Sequence, residues 1–310
     1  MKASAVLNSP LASDASAGPL PSFFVIGARK CGTTTLDQYM RQHPQICLPR
    51  GKKELNFFGD QAHRGLAWYR AHFAHAGADQ LCGEVAPMYS IEQDPPCARR
   101  IAELVPQARL IYIVRHPVER AYSDFCEQIK TARALGRNYA WFKSFDDFLD
   151  ANPRAVRASE YIRTIEEYQA YFPPEALLTV LFDDLKADPT ALLRRIYAHI
   201  GVDSGAAAAT DRPIRANAGD EYLQWQTRLR LTRTLRALPG VATAAQFIPR
   251  SWCNRAYTLL ERSRFGQAAR AALAPPPLSA QTRQRLLERF RAHNRALAAY
   301  LGRDLAHWDR

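Results

Sequence analysis

Residues 23–36, FFVIGARKCGTTTL, constrain the fold of this chain more than any other stretch. The run Phe23–Ile26 is short, wholly apolar and followed by Gly27, the pattern of a strand buried on both faces. Beyond the loop Gly27–Gly32, Thr33–Gln42 places Leu36, Tyr39 and Met40 on one side of a helix that Pro44 ends. A strand that passes through a glycine loop into a helix aims free backbone N–H groups and the positive helix end at one point. Such a point suits a phosphate. Lys30 adds a full charge there, and Thr33 and Thr34 add hydroxyl donors. A nucleoside-triphosphate loop would read GxxxxGK[ST], with lysine after the second glycine. Here Lys30 precedes Gly32 by two positions, which puts the lysine against the loop's own phosphate. The competing reading, an ordinary strand–turn–helix with an incidental lysine, has to explain why strand, glycines, lysine and threonines coincide.

Two more buried strands are expected. Arg109–Val114 precedes Pro117, which opens a helix running to about Lys130. Leu177–Phe182 follows a helix that carries Ile162, Ile165, Tyr168 and Phe172. Pro189 opens a further helix with Gly201 at its C-cap, and Ser279 is the expected N-cap of a last helix ending before Gly302. Short apolar strands alternating with helices predict an α/β fold: a P-loop-like parallel sheet flanked by helices on both faces, with a helical C-terminal third. Residues 1–21 read as a flexible tail and 22–310 as one domain.

The net charge of +12 is unevenly placed. From Arg215 onward there are 17 arginines, no lysine and 6 acidic residues, so eleven of the twelve net positive charges lie in the last third. That surplus favours polyanionic partners, including peripheral contact with an anionic membrane, although solvated helix faces would account for it equally well. No recognised nucleic-acid module appears, so no nucleic acid is expected. The six cysteines form no CxxC pair and fit no zinc spacing; they read as small core residues in a reducing compartment. The N-terminal residues hold no apolar run long enough for a signal peptide or membrane span, and a cytoplasmic location is expected. Nothing in the chain speaks to oligomeric state.

A second anion site is expected from RLIYIVRHPVERAYSDF, residues 109–125. Arg115 falls at the end of a buried strand, where ligands gather in open α/β sheets. Ser123 lies eight residues later on the following helix. An arginine fork and a directional hydroxyl can share one phosphate. With RKCGTTTL upstream, the pair resembles the sulfotransferase family that uses 3′-phosphoadenosine 5′-phosphosulfate (PAPS). The resemblance is nearest to the branch of heparan sulfate and bacterial carbohydrate sulfotransferases.

That resemblance implies roles for particular residues. Arg29, Lys30, Cys31, Gly32, Thr33 and Thr34 form the 5′-phosphosulfate loop, with Lys30 offsetting charge on the oxygen that sulfate leaves. Arg115 and Ser123 hold the 3′-phosphate. In PRGKKELNFF, residues 49–58, it implies that Glu54 is the base acting on the acceptor, beside Lys52 and Lys53, with Phe57 and Phe58 as core anchors. His116 is the competing base, or a bystander. GEVAPMY, residues 83–89, resembles an acceptor-side strand, but Val85 stands where some glycosaminoglycan enzymes of the family carry lysine. RANAG, residues 215–219, resembles a late nucleotide-covering loop and nominates Arg215, Asn217 and Gly219; the basic continuation usual there is missing. FDDLKADP, residues 182–189, resembles a mostly structural family segment.

PAPS is therefore the expected co-substrate, with no metal, and the expected partner is a small-molecule or glycan acceptor. Two rivals remain at this point. A nucleotide-triphosphate-dependent small-molecule kinase could use Asp183 and Asp184 for magnesium. A non-catalytic polyanion-binding protein would bind through the arginine-rich last third with a steep salt slope.

Overall fold

The computed structural model describes residues 18–134, 144–209, 263–264 and 275–310. The described elements are β1 (Phe23–Gly27), α1 (Thr33–Met40), β2 (Ile46–Cys47), α2 (Leu66–Ala71), β3 (Leu81–Val85), α3 (Cys97–Leu104), β4 (Arg109–Val114) and α4 (Pro117–Ala134). They continue with α5 (Phe145–Ala151), α6 (Pro153–Arg157), α7 (Tyr161–Gln169), β5 (Leu177–Leu181), α8 (Phe182–Ala187), α9 (Pro189–Ile200) and α10 (Ala280–Leu301). The three expected strands form, and two further strands join them. β2 has only two residues, too few to show a period, and Gly83 and Glu84 interrupt the apolar run of β3.

The strands make one parallel sheet in the order β2-β3-β1-β4-β5. Every residue of β1 is buried, as are all of β4 after Arg109. Successive side chains on a strand point to opposite faces, so both faces of the central strands are covered. The chain leaves β1 toward β2 and β3 on one side, then crosses to β4 and β5 on the other. The carboxyl tips of β1 and β4 therefore flank the point where strand order reverses, the place such sheets open a ligand crevice. Short turns at both tips, Gly27–Gly32 and Arg115–His116, carry the two motifs singled out in the sequence.

The main core surrounds the sheet. A second cluster joins α4, α5 and α6 to α10 through Val118, Phe125, Phe145, Phe148, Leu287 and Phe290. Burying each such side chain stabilises by about 1.5–3 kcal/mol, so this cluster holds α4, and with it Ser123, against the C-terminal helix. Arg120 reinforces the same joint. It is fully buried and donates to Ser159 Oγ (2.5 Å), Asp124 Oδ2 (3.3 Å) and the Ala155 carbonyl. The predicted caps form: Gly201 closes α9 in a left-handed conformation, and Ser279 Oγ accepts the Thr282 N–H at 3.0 Å to open α10. Of the last third, expected to be helical, α10 is described, and residues 210–262 and 265–274 lie outside the described residues.

Candidate active site

The loop after β1 folds tightly because its glycines admit what a Cβ would forbid. A Cβ on Gly27 would sit 2.2 Å from Ser90 Oγ, and one on Gly32 would sit 2.5 Å from the Phe182 ring. Gly32 also has φ 91°, the left-handed region, where it caps α1 without any side-chain hydrogen bond. The first N–H groups of α1 are thus left for a ligand. Lys30 adopts φ 70°, which costs a residue with a Cβ about 1–2 kcal/mol. That strained turn sets its ammonium at the mouth of the loop.

Both anion motifs face one cleft of about 390 Å³, a size ordinary for a small-molecule site. Arg29, Lys30, Gly32, Thr33 and Thr34 line it from the β1 loop, Arg115 from the tip of β4, and Ser123 from α4. Glu54 and Lys53 reach it from the loop after β2. Residues 30 and 115, well separated in sequence, therefore meet at adjacent strand tips. Cys31 does not join them: its side chain is fully buried, with Sγ 3.8 Å from Tyr161 Oη, and burial pushes its thiol up to about 11. The Cys31 side chain thus packs in the core, and Cys31 is not among the residues that line the cleft. Arg215, Asn217 and Gly219 lie outside the described residues.

Ion pairs tie the two sides of the cleft together. Asp124, held by Arg120, presents Oδ1 to Arg29 at 3.3 Å, and Glu127 Oε2 accepts from Lys30 Nζ at 3.3 Å. Arg120, Asp124 and Glu127 fall at helical spacing on one face of α4, which is the signal that sequence reading passed over. The Arg115 guanidinium lies over the Phe182 ring (5.4 Å), and Tyr161 Oη donates to the Arg115 carbonyl at 2.7 Å. Glu119 is 4.0 Å from Arg115 and is engaged more closely by Arg283, at 2.5 Å.

Lys53 is more deeply involved than a solvated lysine would be. Its Nζ donates to Thr34 Oγ1 (3.1 Å), Thr33 Oγ1 (3.5 Å) and Glu54 Oε1 (3.3 Å), joining the phosphate loop to the acceptor-side carboxylate. Lys52 is exposed. Phe57 and Phe58 are buried, as anchors should be. Pro87 and Met88 complete the cleft wall. His116 is absent from the lining; its ring packs 6.2 Å from Trp308, and burial lowers its pKa, which favours the neutral form. Asp183 and Asp184 are committed elsewhere. Asp183 accepts from Lys186 (2.9 Å) and Trp308 Nε1 (3.3 Å), and Asp184 from both terminal nitrogens of Arg303. Their role is to clamp α8, and so Phe182, against the chain's end.

A parallel sheet with a glycine loop at its switch point and a cation-lined cleft above it defines an α/β protein of the P-loop-like kind. The sequence profile of the Sulfotransferase family matches residues 21–205, and the chain belongs to that family. Heparan sulfate glucosamine 3-O-sulfotransferase 6 of Homo sapiens is 30% identical over 210 residues, covering 67% of this chain and 59% of that protein. Bifunctional heparan sulfate N-deacetylase/N-sulfotransferase 3 of Homo sapiens is 32% identical over 202 residues, 59% of this chain and 22% of that protein. The chain thus spans less than two thirds of the length of either relative. A solved sulfotransferase from Alicyclobacillus acidocaldarius shares the fold, with a TM-score of 0.62 at 22% identity over 94% of this chain and 100% of that one.

Proposed function

We propose that this chain transfers a sulfuryl group from PAPS to a hydroxyl or amine of an acceptor, a carbohydrate by the names of its relatives. The observation that carries the reading is that Lys30, Arg115 and Ser123 line one cleft at the tips of adjacent strands. The fit to the nucleotide rests on the uncapped, glycine-opened start of α1 and on the cleft's cations, Lys30 and Lys53 on one hand and Arg115 on the other, with the Ser123 hydroxyl lining the same cleft.

The nucleotide supplies an activated sulfuryl group whose bond to the 5′-phosphate oxygen breaks as the acceptor atom bonds to sulfur. Thr33, Thr34 and the start of α1 bind the 5′ end, and Arg115 with Ser123 binds the 3′-phosphate. Glu54 takes the acceptor's proton on a carboxylate oxygen, a role that its place in the cleft supports over His116. Lys30 holds its charge where negative charge develops on the departing oxygen. Lys53 keeps Glu54 and the phosphate loop in register. A cytoplasmic setting remains part of this proposal, supported by four buried free thiols, Cys31, Cys47, Cys82 and Cys97.

The test is thermal-shift binding with adenosine 3′,5′-bisphosphate against ATP with magnesium and AMP, followed by mass spectrometry of acceptor glycans incubated with PAPS. Stabilisation by the bisphosphate well above the other two, and an 80-Da gain on a glycan (about the mass of one added sulfuryl group) dependent on Glu54, is expected. Preferential stabilisation by ATP with magnesium would overturn the reading in favour of a kinase.

A further inference from the structure

Glu84, on β3, has no exposed surface. A carboxylate in that position costs several kcal/mol unless its lone pairs are filled. They are filled by four donors. Oε1 accepts the N–H groups of Leu55 and Asn56, both at 2.9 Å, and Oε2 accepts the hydroxyls of Tyr69 (2.6 Å) and Tyr89 (2.8 Å). Four donors match the acceptor-only ionised group, which offers about four lone-pair sites. Burial still raises the Glu84 pKa against the pull of these bonds.

Leu55 and Asn56 are the two residues that follow Glu54. The segment from Gly51 to Asn56 belongs to no helix or strand, so no ladder fixes the peptide that carries Glu54. Its anchors are of another kind. Leu55, Phe57 and Phe58 are buried, Phe57 stacks on Tyr69 at 4.3 Å, and the Phe58 N–H donates to Tyr89 Oη at 3.3 Å. The Phe58 carbonyl is held separately, by Arg100 Nη1 (2.7 Å) and Cys97 Sγ (3.3 Å), whereas the N–H groups of Leu55 and Asn56, next to Glu54, both go to Glu84 Oε1. Tyr89 also belongs to the turn Pro87–Ser90, whose Pro87 and Met88 form the cleft wall. One buried carboxylate thus ties together the Glu54 loop and the Pro87–Met88 wall.

We infer that Glu84 is the positioning residue for Glu54: it fixes the two peptide groups after the base and so sets the carboxylate that receives the acceptor's proton. The inference rests on the proposed role of Glu54. A purely structural Glu84 would lower stability without singling out proton transfer. A positioning Glu84 acts through Glu54 and has no effect once Glu54 is gone.

The experiment is a double-mutant cycle on the full chain with Glu54→Gln and Glu84→Gln, reading kcat, acceptor KM, affinity for adenosine 3′,5′-bisphosphate and amide hydrogen exchange. Glu84→Gln keeps the shape, and the tyrosine hydroxyls can turn to accept its amide. We expect kcat to fall about 10- to 100-fold, in keeping with a misplacement near 1 Å, with KM and bisphosphate affinity within about twofold. In the Glu54→Gln background the second change should alter kcat by less than about twofold. Exchange should accelerate in the peptide spanning residues 51–58 and stay unchanged in 23–40. Should Glu84→Gln fail to fold, Tyr69→Phe removes the 2.6 Å donor alone and should show a smaller loss with the same non-additivity. Multiplying effects of the two changes, an unchanged kcat, or unchanged exchange in 51–58 would each overturn the inference. A Glu54→Gln enzyme with full kcat would instead overturn the assignment of Glu54 as the base, and the positioning role with it.

Discussion

Replacing Lys30 by alanine should separate binding from chemistry. In the structure Lys30 Nζ pairs with Glu127 Oε2 at 3.3 Å, and its side chain is 21% exposed. A charge-assisted contact to phosphate contributes about 1.5–3 kcal/mol. Leaving Glu127 costs about 0.2–1 kcal/mol, the usual value of a partly exposed pair, so the net binding contribution is about 1–2 kcal/mol. Lys30→Ala should therefore raise the Kd for adenosine 3′,5′-bisphosphate roughly 5- to 30-fold. Charge on the departing oxygen appears only in the transition state, where a preorganised cation is worth about 2.7–4 kcal/mol, so kcat should fall a further 10²- to 10³-fold. Titration calorimetry gives the first quantity and mass-spectrometric turnover the second. Part of the lost affinity comes from the orphaned Glu127 facing an anion; the double change Lys30→Ala/Glu127→Gln should recover affinity but none of the lost kcat. A kcat loss no larger than the loss of affinity would refute the argument and leave Lys30 a binding residue only.

Arg115→Ala should raise the Kd for adenosine 3′,5′-bisphosphate by about 30-fold (~2 kcal/mol) while leaving AMP within about twofold, because its contact is to the 3′-phosphate alone. Gly32→Ala combines a left-handed φ with a Cβ driven into Phe182, so urea denaturation should show a loss of about 2–4 kcal/mol, and nucleotide binding should weaken with it. Burial pushes His199 below its ordinary 6.5, and its Nε2 lies 3.0 Å from the Leu110 carbonyl, where the neutral ring donates. The unfolded chain therefore takes up this proton first, and the stability present above pH 6.5 is lost as pH falls toward the folded value. The Tm measured from pH 7.5 down to 5.5 should drop, and His199→Gln should flatten that slope.

Much of the site was legible before any coordinates because its parts are local. The strand, glycine loop and helix of residues 23–36 are contiguous, so apolar run, glycine spacing and threonines declare themselves within 14 residues. The same holds for Arg115 at the end of RLIYIV and for the caps at Gly201 and Ser279. The burial of the Cys31 side chain is not legible in the same way: a loop's side-chain directions follow from its φ and ψ angles, which no periodicity reports.

The sequence by itself determined which segments are strands buried on both faces and which loop can cradle a phosphate, since both depend on the chemistry of neighbours in the chain. Tertiary structure alone decided the strand order β2-β3-β1-β4-β5, and with it the meeting of Lys30 with Glu127 and of Lys53 with Thr34. Glu84 illustrates the division most clearly. In the sequence it is one acidic residue after a glycine; in the fold it is a buried anion gripping a loop 28 residues away. The energy of such a group depends on which donors surround it, and that is set only when distant segments pack.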